Sequence, residues 1–204
     1  MNTGKISNEF LKNRIISNLR MKRSDVILGP GVGRDCGILE FGEELCIVSS
    51  DPITGAVSRM GYIGVHICCN DIATTGAEVI GVTLTILAPP ATAMSDIEQV
   101  VVDAECAAQE LNIDILGGHT EITDSVTRMI ICLTAIGKVR KQGLVSFANA
   151  KTGDDIVITK KAGMEGTAIL AYDREELLKK YLPADVIERA QSFMGQISVI
   201  KEGK

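Results

Sequence analysis

Tryptophan is absent from the 204-residue chain, and aromatic residues make up only 3% of it. Hydrophobic residues nevertheless make up 46%, so the core has to be aliphatic, built from Val, Ile, Leu and Ala. No two of the six cysteines (Cys36, Cys46, Cys68, Cys69, Cys106 and Cys132) form a CxxC pair, which argues against a zinc site. They read as reduced thiols, mostly small buried hydrophobes; the adjacent Cys68-Cys69 leaves a redox-active pair as the alternative. No apolar run reaches the ~18 residues of a membrane span. The opening MNTGKISNEF is polar and lacks a secretory pattern. No internal repeat or low-complexity tract occurs. A net charge of −5 argues against a nucleic-acid footprint. What remains is a cytoplasmic globular chain, long enough for one large domain or one and a half ordinary ones.

The hydrophobic pattern alternates between sheet and helix. Residues 7–20 place Phe10, Leu11, Ile15, Ile16 and Leu19 at helical spacing. A short apolar piece then leads into the glycine-rich GPGVG loop. Gly37–Phe41 and Leu45–Ser50 predict two strands joined by a turn over residues 42–44. A helix is expected from about Met60 to Thr75, stopped by Gly76. Val82–Leu87 alternates like a strand with one apolar face. Ser95 and Glu98 fit a capping box that opens a helix to about Leu111. Ile115–Gly118 and Met129–Ile136 predict further strands. A polar, glycine-punctuated stretch over 140–154 divides residues 1–145 from 146–204. Beyond it, Asp155–Thr159 predicts a strand and Gly163–Gly166 a turn into a helix. Residues 174–181 and 184–193 predict more helix. A lone strand with no partner makes a weak core, so residues 146–204 read as an incomplete unit, truncated or completed by a partner.

Four polar stations punctuate the first 121 residues: Gly33-Arg34-Asp35-Cys36, Ser49-Ser50-Asp51, Cys69-Asn70-Asp71-Ile72 and Gly117-Gly118-His119-Thr120-Glu121. Each sits beside small residues at the end of an apolar run. Carboxylates at the ends of buried elements can converge, and converged carboxylates repel unless a cation sits among them; Mg²⁺ with a polyphosphate is the commonest such partner. Bland readings stand beside these: Asp35 as a strand cap, Asp51 before Pro52 as a turn start, Asp71 as a helix-surface carboxylate. His119 fits a metal or phosphate contact, a proton shuttle or a backbone hydrogen bond. Together with Cys36 it also admits a transition-metal site. His66, on the apolar helix, reads as structural. The GPGVG glycines allow close backbone approach to a ligand, but no GK[ST] follows, so they form no P-loop.

Read in order, GPGVGRDCGIL, SSDP, NDIATTGAEVIG, ILGGHTE, TAIGKV and TGDDIVITKKAGMEGTAILA resemble the aminoimidazole ribonucleotide (AIR) synthetase superfamily. The nearest likeness is to AIR synthase-related proteins close to the hydrogenase-maturation carbamoyl-dehydratase branch. The resemblance implies an α/β fold of the α+β type. A mixed four-stranded sheet with flanking helices would pair with that of a second subunit to close a barrel, making a homodimer. It implies ATP and Mg²⁺ as cofactors, with Asp35, Asp51 and Asp71 as metal-phosphate ligands and Asn70 assisting. Gly29, Gly31 and Gly33 would line the phosphate approach, and His119 and Thr120 would contact the nucleotide or substrate. Residues 1–145 would be the ATP-binding and dimerisation domain, and 146–204 the start of a carboxy-terminal domain. The chain departs from the family pattern by carrying His119 where an acid is usual in GG-x-T, with Glu121 able to supply the missing oxygen. The maturation branch also uses a carboxy-terminal cysteine, whereas the last cysteine here is Cys132. The implied chemistry is ATP-dependent phosphorylation of an oxygen or amide on a small-molecule or protein-derived substrate, with no nucleic acid or membrane partner. The alternative is a non-catalytic nucleotide-binding or scaffold dimer.

Overall fold

The computed structural model describes residues 3–146 and 149–203. Its centre is a six-stranded mixed sheet in the order β1-β2-β3-β6-β4-β5. The strands are β1 (Val26–Leu28), β2 (Cys36–Phe41), β3 (Glu44–Ile53), β4 (Glu78–Ala88), β5 (Asp114–Ile122) and β6 (Ile130–Arg140). The helices are α1 (Asn8–Phe10), α2 (Met60–Thr74), α3 (Met94–Leu111), α4 (Met164–Asp173), α5 (Glu175–Leu178) and α6 (Ala184–Ser192). Every neighbouring strand pair is antiparallel except β4 and β5. A parallel pair needs a long crossover, and α3 supplies it. The β2–β3 hairpin closes at Phe41 opposite Glu44, with Gly42 at a φ of +67° that L residues disfavour.

Burial alternates along the central strands with the period of the pleat. On β3, Leu45, Ile47, Ser49 and Ile53 are buried, while Cys46, Val48, Ser50 and Pro52 face the less covered side. On β6, Ile131, Leu133 and Ala135 repeat the pattern. The covered face is held down by α2, in which 11 of 15 residues are buried. A helix buried nearly all round needs close approach on more than one side. Two glycines provide it: a Cβ on Gly64 would stand 2.5 Å from Leu133 Cδ1 in the sheet, and one on Gly61 only 2.0 Å from the Val100 carbonyl of α3. What α2 leaves half-covered is a stripe at helical spacing, Ile67, Asn70 and Asp71. Burying an isoleucine such as Ile63 or Ile72 contributes about 1.5–3 kcal/mol, so this layer anchors the fold and fixes where the stripe points. Ala168 of α4, together with Met194 and Ile197, joins the same core.

Several expectations are corrected. The sheet has six strands, not four. β1 is a three-residue edge strand whose pairing to β2 shifts register, too short for a periodicity argument to find. β5 runs on through Gly117–Glu121 to Ile122 instead of ending at the glycines. The helix over residues 7–20 breaks into α1, a π-helical segment at Leu11–Ile15 and a 3₁₀ turn at Ile16–Asn18. Ser95 caps nothing: α3 starts at Met94 behind Ala93, with no side-chain cap. Asp155–Thr159 forms no strand; Ile156 is 93% exposed because β propensity without a neighbouring strand has nothing to pair with. Of the expected boundary stretch, Phe147 and Ala148 lie outside the described residues. Among the described residues no helix is long and apolar enough to cross a membrane.

Candidate functional site

Three of the four stations converge on the helix side of β3. Asp35 ends the glycine loop just before β2, Ser49 and Asp51 lie on β3, and Asp71 lies on the half-covered stripe of α2. Ser49 ties them together. Its Oγ stands 2.9 Å from the Asp35 carbonyl and 2.8 Å from Asp71 Oδ2, so one hydroxyl proton is shared between two acceptors. Asp51 Oδ2 is buried with no hydrogen-bond partner among the described residues. A buried carboxylate oxygen without a partner is costly, and its need is met by a proton or a cation.

The charge balance says the same. Burial pushes the Asp71 carboxyl up to about 6, the nearby Asp51 and Asp35 carboxylates add to the rise, and the Ser49 hydrogen bond opposes it. A fourth acid joins from α4: the Glu165 carboxyl is raised, mainly by burial and then by the charge of Asp51. Among the described residues no group of three or more His, Cys, Asp or Glu side chains is arranged to hold a metal by itself. The donor set is two or three hard carboxylate oxygens. That set matches Mg²⁺, which is usually held by one or two carboxylates plus phosphate oxygens and water rather than by an all-protein cage.

The cysteines beside the cluster are inert packing groups. Burial pushes the thiols of Cys36 and Cys68 up to about 12. Cys36 lies 3.3 Å from the Asp71 carbonyl, and Cys68 and Cys69 are free and wholly buried. Neither member of the Cys68-Cys69 pair has the thiolate character or access that redox chemistry requires.

The other expected residues sit elsewhere. The Asn70 side chain clamps the carboxy-terminal segment: its Nδ2 donates to the Ile197 carbonyl at 2.9 Å and its Oδ1 accepts from the Val199 amide at 2.8 Å. Beside it opens a cleft of about 400 Å³ lined by Asn70, Lys160, Lys161, Gly163, Glu165 and Gly166. The glycine loop folds around its own arginine. Arg34 donates to the Gly29 carbonyl at 3.4 Å, a Cβ on Gly31 would strike its side chain, and Gly33 takes a φ of +75°. Gly33 and Asp35 line a smaller pocket of about 100 Å³ with Thr74 and Thr75. His119 and Thr120 are not with the acids. The register row Pro52–Cys132–Thr85–His119 puts His119 on the sheet face opposite the Asp51 side chain, three strand spacings or ~14 Å across. There His119 is exposed and meets Glu121 Oε2 at 3.2 Å. Thr120 is on the helix-side face of the same edge strand and is exposed. His66 is buried, and among the described residues neither ring nitrogen has a hydrogen bond, with Nε2 3.6 Å from Glu110 Oε2; burial lowers its pKa and keeps the ring neutral and structural.

Two contributors were missed in the sequence. Ser49 reads as one more small polar strand residue, although it falls on the buried side of the β3 alternation. Glu165 sits between Gly163 and Gly166, a spacing that signals a backbone brought close to something.

Comparison with known proteins bears on what this geometry belongs to. A Methanocaldococcus jannaschii protein named as a hydrogenase expression/formation protein is 26% identical over 210 residues, covering 98% of this chain and 63% of that relative. The chain thus spans less than two thirds of the relative's length. Two solved structures share the fold: AaThiL complexed with AMPPCP and TMP (TM-score 0.68, 14% identity, 83% of this chain and 56% of that one) and hydrogenase maturation protein HypE in complex with ATP (TM-score 0.57, 22% identity, 84% and 51%). The family described as AIR synthase related protein, N-terminal domain, matches residues 33–139, a span that opens on the Asp35 loop and closes at the end of β6. With more than half of its length inside that match and three of its four polar stations drawn to one side of β3, the chain belongs to the AIR synthase related family.

Proposed function

We propose that this chain carries the ATP- and Mg²⁺-binding site of an enzyme that phosphorylates a substrate oxygen or amide, with Asp35, Asp51 and Asp71 as the metal-phosphate ligands. The observation that carries the reading is the unpartnered, buried Asp51 Oδ2 beside an Asp71 whose carboxyl titrates near 6. Such a pair costs the folded protein free energy unless a cation joins it. Bound Mg²⁺ supplies charge neutralisation between these carboxylates and a polyphosphate. The protein's own residues do the rest. Ser49 fixes the orientation of Asp71. In the cleft, Lys161 and the glycine-flanked start of α4 offer cationic and backbone donors toward a phosphate chain, while Lys160 is held by Glu202 and the Ser198 carbonyl. That AaThiL was solved with AMPPCP and HypE with ATP supports nucleotide as the ligand class.

Residues 1–145 form the nucleotide-binding domain in this reading, and 146–204 begin a second domain. Homodimerisation through the uncovered sheet face fits its composition: Val48 and Ile136 are only half-buried there, and Phe41 is 61% exposed. The test is a thermal-shift titration with Mg·ATP followed by a phosphate-release assay. Saturating Mg·ATP should stabilise the chain by about 2–3 kcal/mol. Asp71→Ala should abolish the shift, whereas His119→Ala should change affinity less than about threefold, because His119 lies across the sheet. No shift in the unmodified chain rejects the nucleotide site; a shift without phosphate release replaces the enzyme with a non-catalytic binding module.

A further inference from the structure

In a chain of net charge −5, residues 1–24 carry six Lys and Arg against a single acid, Glu9. The apolar side chains among those cations are not folded away: Phe10, Leu19 and Met21 are each more than half exposed. Where this segment turns into β1 it forms a groove of about 710 Å³, with Leu19, Met21, Val26 and Pro30 as its apolar lining and Arg20 and Lys22 beside them. Arg23 is held by Asp25, but Arg20 and Lys22 make no ion pair among the described residues. Exposed apolar surface flanked by unpaired charge of one sign fits a partner surface of the opposite sign.

The mirror of that chemistry lies on α3. The helix carries five acids (Asp96, Glu98, Asp103, Glu105 and Glu110) and no Lys or Arg. None of the five pairs with a Lys or Arg among the described residues. Met94, Glu98, Val101, Val102 and Glu105 recur at helical spacing and all are exposed, Val102 to 60%. The outer face of α3 is therefore apolar and acidic where the groove is apolar and basic. The two surfaces of one chain are kept apart. The groove sits at β1 and α3 packs on α2 and the β4–β5 edge, while β1 and β5 are the two outer strands of the sheet among the described residues, five strand spacings or ~24 Å apart.

We propose that the groove of one copy seats the outer face of α3 of a second copy, with Arg20 and Lys22 facing Glu98 and Glu105 and with Leu19 and Met21 against Val101 and Val102. Such a contact is heterologous: each copy offers a groove at one side of the sheet and a helix at the other, so association runs head to tail. It uses neither the acid cluster nor the uncovered sheet face, and it rests on no reading of the nucleotide site.

Sedimentation velocity of the whole chain over a dilution series tests the proposal at two ionic strengths, about 0.01 and 0.15 M, which differ severalfold in screening length. Self-association should be at least about tenfold tighter at the lower one. The double variants Arg20→Glu/Lys22→Glu and Glu98→Lys/Glu105→Lys, each checked for an unchanged melting temperature, should each lose about tenfold or more of that affinity, because like charges then face each other. An equimolar mixture of the two variants sets opposite charges at every contact again and should recover the association to within about threefold of the unmodified chain. The proposal is overturned by absent association at low salt, or by association indifferent to salt and to both variants, which would place it on the sheet face. It is also overturned by a Glu98→Lys/Glu105→Lys variant that associates as the unmodified chain does, which would give the groove another occupant, or by a mixture that recovers nothing.

Discussion

Ser49-Ser50-Asp51 and Gly117-Gly118-His119-Thr120-Glu121 are near-equivalents as text: small residues, then polar or acidic ones, near the end of an apolar run. In the fold they part company. β3 lies between β2 and β6, and its buried side meets α2, so Ser49 and Asp51 are driven into a low-dielectric seam where every polar atom must find a partner. Among the described residues β5 is the outer strand, with β4 its one neighbour and most of its residues exposed. The same residue types there are solvated, and His119 and Glu121 settle into a surface pair that contributes at most about 1 kcal/mol. Depth in the sheet, more than residue type, separates a buried station from a solvated one.

The largest test of that contrast is structural. Gly118 brings the β5 backbone so close to β4 that a Cβ would stand 1.8 Å from the Leu84 carbonyl, at a φ of +156°. Gly117, at +146°, has nothing within 4 Å. Gly118→Ala should therefore push β5 away from β4 and cost about 3 kcal/mol or more, whereas Gly117→Ala carries only the backbone strain of about 1–2 kcal/mol. Urea unfolding of both variants measures the gap. Equal costs would mean that the outer strand shifts freely and that its exposed station has no fixed place.

A second test uses pH to separate the two stations. Asp71 must be deprotonated to take a cation, and its folded pKa is about 6. Mg·ATP affinity should be flat above pH 7 and fall up to about tenfold between pH 6 and pH 5 as protons displace the metal. His119→Ala should leave that profile in place. A profile that moves with His119 instead would put the titrating group on the wrong face of the sheet.

Much of this was legible in the residues. The alternation of β3 and β6, the buried α2 and the stop at Gly76 all rest on local periodicity and backbone chemistry, and the carboxylates Asp35, Asp51 and Asp71 could be singled out because each interrupts an apolar run. What sequence could not supply was sidedness across the sheet. The fate of His119 depends on the β4–β5 register, which is shifted by an irregularity at Val82 and Thr83, and no periodicity within β5 encodes that shift. The partners of Asn70 were hidden in a similar way: its amide bonds a backbone 127 and 129 positions further along the chain, outside any local window. The strand expected at Asp155–Thr159 failed for the reason β5 differs from β3: strand character is conferred by neighbours, and Ile156, Val157 and Ile158 have none in the described residues.

The smallest expected effect is the most discriminating, because it separates a site built for a ligand from one built for stability. The folded pKa of Asp71 is raised from 3.8 to about 6, so the folded state holds its proton more tightly than the unfolded chain does. By linkage, whatever stability the protonated form contributes is present at low pH and is lost as pH rises through about 6. Asn mimics the protonated carboxyl. Asp71→Asn should therefore stabilise the ligand-free protein at pH 7.5, by about 1 kcal/mol or less because the half-exposed cluster is screened by solvent. That corresponds to a melting temperature higher by about 2–4 °C. At about pH 3, below the unfolded value of 3.8, the carboxyl is largely protonated in both the folded and the unfolded chain, and the gain should shrink toward zero. A variant that is more stable without ligand yet no longer responds to Mg·ATP would mark Asp71 as a residue that costs the fold and serves the site. A gain of the same size at both pH values would place its origin in packing instead, and β3 would lose its claim to differ from β5 in charge.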